Sequence, residues 1–511
     1  MATFSGPTGL AVKLTLLGLA NALAVWAGAI LARDEKWIAL VVLVAATIAI
    51  DAVYLVPTQR TMPLKFLVPG TVFLVAFQVV PIIYTINVAF TNYSTGHILS
   101  KSEAIDGIKV NSLAQPENGK TYALSPATDS DGKLVLLLVD DASGKPYVGT
   151  REGLQPLPAG DVRVANGAII SASGYTLLKG EKLFALDTVL ADYRVPVGGS
   201  NAIHPEGIDA AFVEVPTLRY DKRTDTFTQI RTGEVFRDNG KGSFVSAKGE
   251  DLEPGWKTYV GLTQFRRIVK DPLIRRPFLR VFAWTLSFAF LTVFLSFALG
   301  LFLAITLQKR IRFQRLYRIV LVIPYAIPAF LTILVWGGLL NDQFGVINGV
   351  LHTSIPWLFD PWWARVSITL VSLWLSFPYF FLVSLGALQS IPGELVEAAR
   401  VDGAGAWQVF RRITLPLLLV AVAPLLIASF AFNFNNFNVI YLLTKGGPDA
   451  GDQPIAGSTD ILISYTYKLA IESGKGGQYA LASAVSMIIF FIVAAISIVA
   501  FRQSRALESL R

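Results

Sequence analysis

The sequence predicts an all-α polytopic membrane protein of eight transmembrane helices, with a β-rich domain inserted after the third. Three observations predict that class. Of the 511 residues, 53% are hydrophobic and only 16% are charged, with a mean hydropathy of +0.53, a composition that an ordinary soluble chain of this length would not tolerate. Eight stretches stay apolar for the roughly 20 residues that a bilayer core of ~30 Å requires; they lie near 10–31, 37–56, 66–90, 281–307, 319–340, 367–389, 417–443 and 478–501. Between the third and fourth lies one long polar segment, 91–265, large enough to fold on a core of its own.

The first stretch shows no small-residue cleavage pattern before the second begins, so it reads as a retained helix rather than a cleaved signal. The first two spans form an N-terminal pair over 1–65, and the third follows at 66–90. Lys and Arg bias among the short loops orients the chain. With the N-terminus cytoplasmic, segments 1–9 with Lys13, 58–65, 308–318, 390–416 and 502–511 carry 14 basic and 4 acidic residues, against 6 and 8 in the opposite short loops. The run Lys309, Arg310, Arg312, Arg315 and Arg318 is the strongest marker. Placed between two apolar spans, it marks a cytoplasmic loop, and no nucleic-acid partner is expected. Both termini, including the tail 502–511, are therefore assigned to the cytoplasm. Asp51 is the only acid inside a span, near its cytoplasmic end, and reads as an interfacial carboxylate because a proton relay needs more than one such group.

Within 91–265, the runs Lys133 to Val139 and Val213 to Tyr220 read as strands. Asp131-Gly132, Ser143-Gly144 and Asn239-Gly240 supply turns that tolerate positive φ. The body of the domain carries 18 basic and 22 acidic residues, whereas 266–280 carries six basic residues and one acid. Long loops cross regardless of charge, so the basic segment is expected to lie at the headgroup level beside the span that follows. The core domain then runs over 281–501.

Several chemistries are excluded. The absence of cysteine removes disulfides, thiolate catalysis and iron–sulfur or zinc-thiolate sites. His97, His204 and His352 belong to no ligand-spaced motif, so no metal site is expected. Gly119-Lys120-Thr121 lacks the leading glycine of a phosphate-binding loop, since Ala114 stands there, and Asp129-Ser130-Asp131-Gly132 lacks the glutamate that completes a calcium loop. Asn92-Tyr93-Ser94 is a formal glycosylation sequon, too short a pattern to carry weight.

The membrane segments themselves point to a solute. Asn433, Asn435, Asn436 and Asn438 inside an apolar span are expensive unless partnered or facing a cavity. Ser429, Phe432, Asn433 and Asn436 fall at i, i+3, i+4 and i+7 on one helix face, which leaves Asn435 and Asn438 as glue between helices. In the preceding span, Trp374-Leu375-Ser376-Phe377-Pro378-Tyr379 sets aromatic rings around a proline expected to interrupt the backbone ladder beside a cavity. A site that is polar, uncharged and aromatic suits a neutral saccharide, whose C–H face packs on rings while its hydroxyls meet amides and hydroxyls.

The loop 390–416 carries Glu397-Ala398-Ala399-Arg400-Val401, a short helix ending at Asp402-Gly403, where glycine supplies the left-handed cap before a second helix. The Glu-Ala-Ala, Asp-Gly-Ala and Ile-x-Leu-Pro elements of this loop resemble the segment by which permease subunits of bacterial ABC importers dock into their ATPases. Together with Ala89 to Ser94, the segment Ala428 to Phe437, the eight spans and the large domain after the third, the whole chain resembles the larger permeases of the maltose/maltodextrin family. That resemblance implies an ABC importer permease fold in the bacterial inner membrane. It implies a transmembrane sugar site at Trp374, Leu375, Ser376, Tyr379, Ser429, Phe432, Asn433 and Asn436, with Ser376 replacing an expected glycine. It also implies ATPase coupling through Glu397, Ala398, Ala399, Asp402 and Gly403. The expected partners are the lipid bilayer, a second, MalG-like permease, two copies of a MalK-like ATPase, a periplasmic maltose-binding protein and maltose or maltodextrin. No cofactor is expected in this chain, which has no ATP-binding loop and catalyses nothing; ATP and magnesium belong to the ATPase. A secondary transporter coupled to protons or sodium would instead show inverted repeats and intramembrane acids. A membrane-embedded glycosyl enzyme would show paired carboxylates in its spans.

Overall fold

The structure is a computed structural model that describes residues 6–56, 62–116, 119–180, 183, 186, 189–190, 192–198, 201–308, 312–449, 455–474 and 476–508. Lys309 and Arg310 of the basic run, and residues 509–511 of the tail, lie outside the described residues. The chain divides into two compact units, Met1–Asn87 and Val88–Arg511. Among the described residues, seven helices are long and apolar enough to cross a membrane, or eight when one bent pair is counted as a single span.

The first unit contains α1 (Pro7–Arg33) and α2 (Trp37–Leu55), and most of α3 (Met62–Ala89). Their apolar side chains point outward; Ile38 and Val25, for example, are 85% and 73% exposed, as suits helices solvated by lipid. Asn21 Nδ2 donates to Asp51 Oδ1 at 3.1 Å, so the intramembrane carboxylate has a neutral amide partner between α1 and α2.

The second unit begins with the inserted domain. Helix α4 (Lys101–Asn111) opens on a capping box, in which Ser100 and Glu103 satisfy each other's backbone N–H. Two main antiparallel sheets follow, beside a two-stranded pair of Val162–Ala165 and Ala168–Ala172. The larger orders its strands Gly153–Pro156, Pro146–Thr150, Leu134–Asp140, Thr121–Thr128, Ala210–Pro216, Asn201–Glu206 and Val195–Gly198 along its main path. The smaller is a meander of five strands from Leu218–Asp221 to Asp251–Leu252. The expected run Val213 to Tyr220 is thus divided between the two sheets, with Thr217 at the crossing point, where its N–H and hydroxyl both donate to Ser112 O. Leu136, Leu138, Val195 and Ile203 fill the core under the large sheet. Phe227, Phe244 and Trp256 fill the core under the small one. The turn glycines Gly132, Gly144 and Gly240 adopt φ of 80°, 66° and 66°.

The basic segment divides between two helices. Helix α5 (Thr263–Lys270) ends at Asp271, whose carboxylate accepts from Leu273 N at 3.0 Å. That residue caps α6 (Pro272–Thr306), a 35-residue helix with proline at its first position. Arg275, Arg276 and Arg280 accordingly belong to the first turns of a spanning helix.

The next span is broken. Helices α7 (Gln314–Ala326) and α8 (Ala329–Leu339) meet at 94°, where the single span 319–340 is expected. Pro328 forces Ile327 into an extended conformation (φ −86°, ψ 135°), which ends α7. After the short α9 (Val346–Leu351), α10 (Pro361–Gln389) is capped by Asp360, which accepts from Trp362 N and Trp363 N at 2.9 and 3.0 Å. It runs unbroken through Pro378, contrary to the expected interruption. Helix α10 packs closely on α6: a Cβ on Gly300 would come within 2.6 Å of Phe381 N, the small-residue approach that lets membrane helices associate.

Helix α11 (Gly393–Val401) precedes α12 (Ala406–Phe434). The expected span 417–443 stops at Phe434; Asn435 and Asn436 leave helical geometry, and α13 (Phe437–Thr444) resumes beyond them. Asparagine side chains compete for backbone groups in this way: Asn433 Nδ2 donates to Ser429 O and Asn435 Nδ2 to Ala431 O. Helices α14 (Leu462–Tyr467) and α15 (Tyr479–Glu508) complete the unit.

Candidate substrate cavity and coupling loop

The two breaks converge on one cavity of about 690 Å³, walled by α10, α12 and the α7–α8 corner. Its size falls within the range of roughly 300–1,000 Å³ common for small-molecule sites. Leu375, Ser376, Tyr379, Ser429, Phe432, Asn433 and Asn436 all line it. Trp374 does not. Its ring packs edge-on against Trp336, with centroids 5.9 Å apart, and against Phe377, so it buttresses the wall behind the cavity.

Ser372, Leu375, Ser376 and Tyr379 follow one face of α10 at i, i+3, i+4 and i+7. Ser429, Phe432 and Asn433 occupy the last turns of α12, whereas Asn436 reaches the cavity from the non-helical link. Phe432 offers a 67% exposed ring. Asn438, expected as glue between helices, lines the cavity as well, because the break turns α13 relative to α12. Asn435 alone of the four asparagines faces elsewhere, toward an apolar groove with Ile463, Ser486 and Phe490.

Two polar atoms on the cavity wall have no protein partner: Ser372 Oγ and Asn433 Oδ1, in residues 1% and 2% exposed. Both atoms are fully covered by the surrounding side chains, so the polar groups that open onto the cavity are those of Ser376, Asn436 and Asn438, which are half-buried or exposed. No charged side chain contributes to the wall among the described residues. The arrangement can therefore hold a neutral, hydroxyl-rich solute against an aromatic face. Ser372 was missed in the sequence, although it lies one turn before Ser376 on the same face. Tyr325, which lines the corner of α7, was also missed; the flanking Pro324 and Pro328 were the available signal for a broken helix.

The loop at α11 is built as a protrusion. Gly403, at φ 84°, caps the helix, with Gly403 N donating to Arg400 O and Ala404 N to Ala399 O. Glu397, Ala398, Asp402 and Gly403 are exposed, and Ala399 is half-buried at the base. Val401 and Trp407 beside them are 87% and 68% exposed, leaving an apolar and acidic surface without cover from this chain.

Residues 296–509 match the family described as binding-protein-dependent transport system inner membrane component, and residues 72–152 match the N-terminal region of transmembrane subunits in binding-protein-dependent ABC transporters. Among curated proteins, the chain is 35% identical over 520 residues to the maltose/maltodextrin transport system permease protein MalF of Escherichia coli K12, with 97% of each chain covered. It is 34% identical over 502 residues to MalF of Vibrio cholerae, covering 92% of this chain and 90% of that one. Among solved structures, a bacterial ABC transporter that imports the acidic polysaccharide alginate is 24% identical with a TM-score of 0.42, covering 48% of this chain and 84% of that chain. The MetNI methionine ABC transporter is 19% identical with a TM-score of 0.35, covering 46% of this chain and 99% of that chain.

Proposed function

This chain belongs to the MalF family of binding-protein-dependent permeases, the non-catalytic membrane subunits of ABC sugar importers, and on that premise we propose that it moves maltose and maltodextrins from periplasm to cytoplasm by alternating access. The observation that carries the proposal is the uncharged cavity in which the exposed Phe432 ring meets Tyr379 and the polar side chains of Ser376, Asn436 and Asn438. A ring face for the sugar's C–H surface and polar side chains for its hydroxyls are the two features that a saccharide requires. Leu375, Ser376, Ser429 and Asn436 contribute to the wall, and Trp374 packs on Trp336 and Phe377 beside it.

In this reading, the protein lies in the bacterial inner membrane with both termini cytoplasmic and the β-rich domain in the periplasm, where that domain receives the maltose-binding protein. Glu397, Ala398, Ala399, Asp402 and Gly403 engage one of two MalK-like ATPases. A MalG-like permease engages the other. ATP and magnesium act on those ATPases. The test is purification in mild detergent and identification of the chains that travel with this one. Recovery of a second permease and an ATPase supports the assignment; a single chain that transports sugar alone refutes it.

A further inference from the structure

We propose that the exposed face spanning α5 and the start of α6 binds the headgroups of anionic phospholipids in the leaflet adjoining the β-rich domain. Ile268 on one side of α5, with Ile274 and Phe278 on α6, is buried in the core. On the outward side stand Arg266, Lys270, Arg275 and Arg276, all exposed. None of these four side chains meets a carboxylate or other acceptor among the described residues. The one acid in the segment, Asp271, is committed to capping α6, and Arg280 is committed to Ala456 O at 2.9 Å. The protein itself therefore leaves a compact group of cations without counter-charge.

Apolar side chains are interleaved with these cations. Leu262, Val269, Leu273 and Leu279 are 54%, 63%, 74% and 54% exposed. From Leu279 the same stripe continues down α6 through Leu286, Phe290 and Phe294, at i+7, i+11 and i+15, all of them exposed. A stripe on a spanning helix is the place for acyl chains, and the cations sit where it leaves the hydrocarbon. Long basic side chains at that depth reach phosphate while their stems and the neighbouring leucines stay in the apolar layer. Charge complementarity, together with continuity with the spanning stripe, selects a phosphate-bearing lipid. The inference goes beyond the proposed sugar function and holds for either orientation of the chain.

Because the chain contains no cysteine, Leu273→Cys gives one labelling position in it. The labelled chain, assembled with its partner subunits and placed in nanodiscs, is exposed to spin-labelled phosphatidylglycerol or spin-labelled phosphatidylcholine, and quenching of a bimane fluorophore at 273 is read. Phosphatidylglycerol should quench several-fold more strongly at equal mole fraction, and the preference should fall toward equality as the four cations are replaced by glutamine. Concentrated salt should suppress the preference in the unaltered cluster, a result that does not depend on the variants folding. Equal quenching by the two lipids overturns the proposal. So does an absence of quenching by either, which would show that another protein chain covers this face.

Discussion

Asn433 Nδ2 donates to Ser429 O one turn earlier, at 2.9 Å, and this bond leaves Asn433 Oδ1 buried on the cavity wall with no protein partner. The amide is thus held in place by its own helix at the edge of the cavity wall. Asn433→Ala is expected to weaken sugar transport by an amount equivalent to about 1–3 kcal/mol. Asn435→Ala, which alters a groove on another side, should leave transport near normal. Concentration-dependent uptake at matched membrane expression distinguishes the two; equal sensitivity would remove the cavity from the account.

Trp374 tests whether support differs from contact. Since its ring meets Trp336 and Phe377 rather than the cavity, Trp374→Ala should lower the thermal stability of the purified complex and weaken uptake in parallel. Trp374→Phe, which keeps an aromatic edge against Trp336, should recover most of both. A variant with normal stability but altered sugar selection would place the ring in contact with the sugar instead.

The exposed Glu397 carboxylate on α11 should act through charge. In the proposed docking, Glu397→Lys reverses the charge at the contact with the ATPase, so sugar-stimulated ATP hydrolysis should fall or lose its dependence on sugar while the cavity is untouched. Complex assembly and ATPase rate are the measurements. Unchanged values for both would show that this loop does not couple.

Away from both sites, Asp460 and Lys468 form an ion pair at 2.7 Å, with side chains 0% and 15% exposed, and Ser464 Oγ and Gly457 N also donate to the carboxylate. Asp460→Leu leaves the ammonium without its partner and should destabilise the unit by about 3–5 kcal/mol. Thermal unfolding in detergent should show a large fall. The double change Asp460→Leu with Lys468→Met should recover part of the loss.

The membrane class, the number of spans and the inserted domain were legible because hydropathy over about 20 residues is a one-dimensional signal. So was part of the cavity wall, since Ser429, Phe432 and Asn433 share a helix face that periodicity reveals. The breaks were not. Pro378 and Pro328 look alike in sequence, yet α10 passes through the first and α7 ends before the second, because packing decides whether a lost backbone bond is tolerated. Asn438 was misplaced because α13 follows a break in the helix, whereas Trp374 sits on the unbroken α10 with its ring packed on Trp336 and Phe377. Ser372 has no local signal beyond its register with Ser376.

The most direct test is ATP-driven accumulation of labelled maltose in vesicles holding this chain with its second permease, ATPase and binding protein, compared with the same assembly carrying Phe432→Ala. Phe432 lines the cavity and is 67% exposed, so its removal should spare assembly and folding. The account predicts accumulation in the unaltered complex, dependent on ATP and on the binding protein, and its loss in the variant with the complex intact. Undiminished accumulation by Phe432→Ala, or accumulation that needs neither ATP nor partner chains, would contradict it.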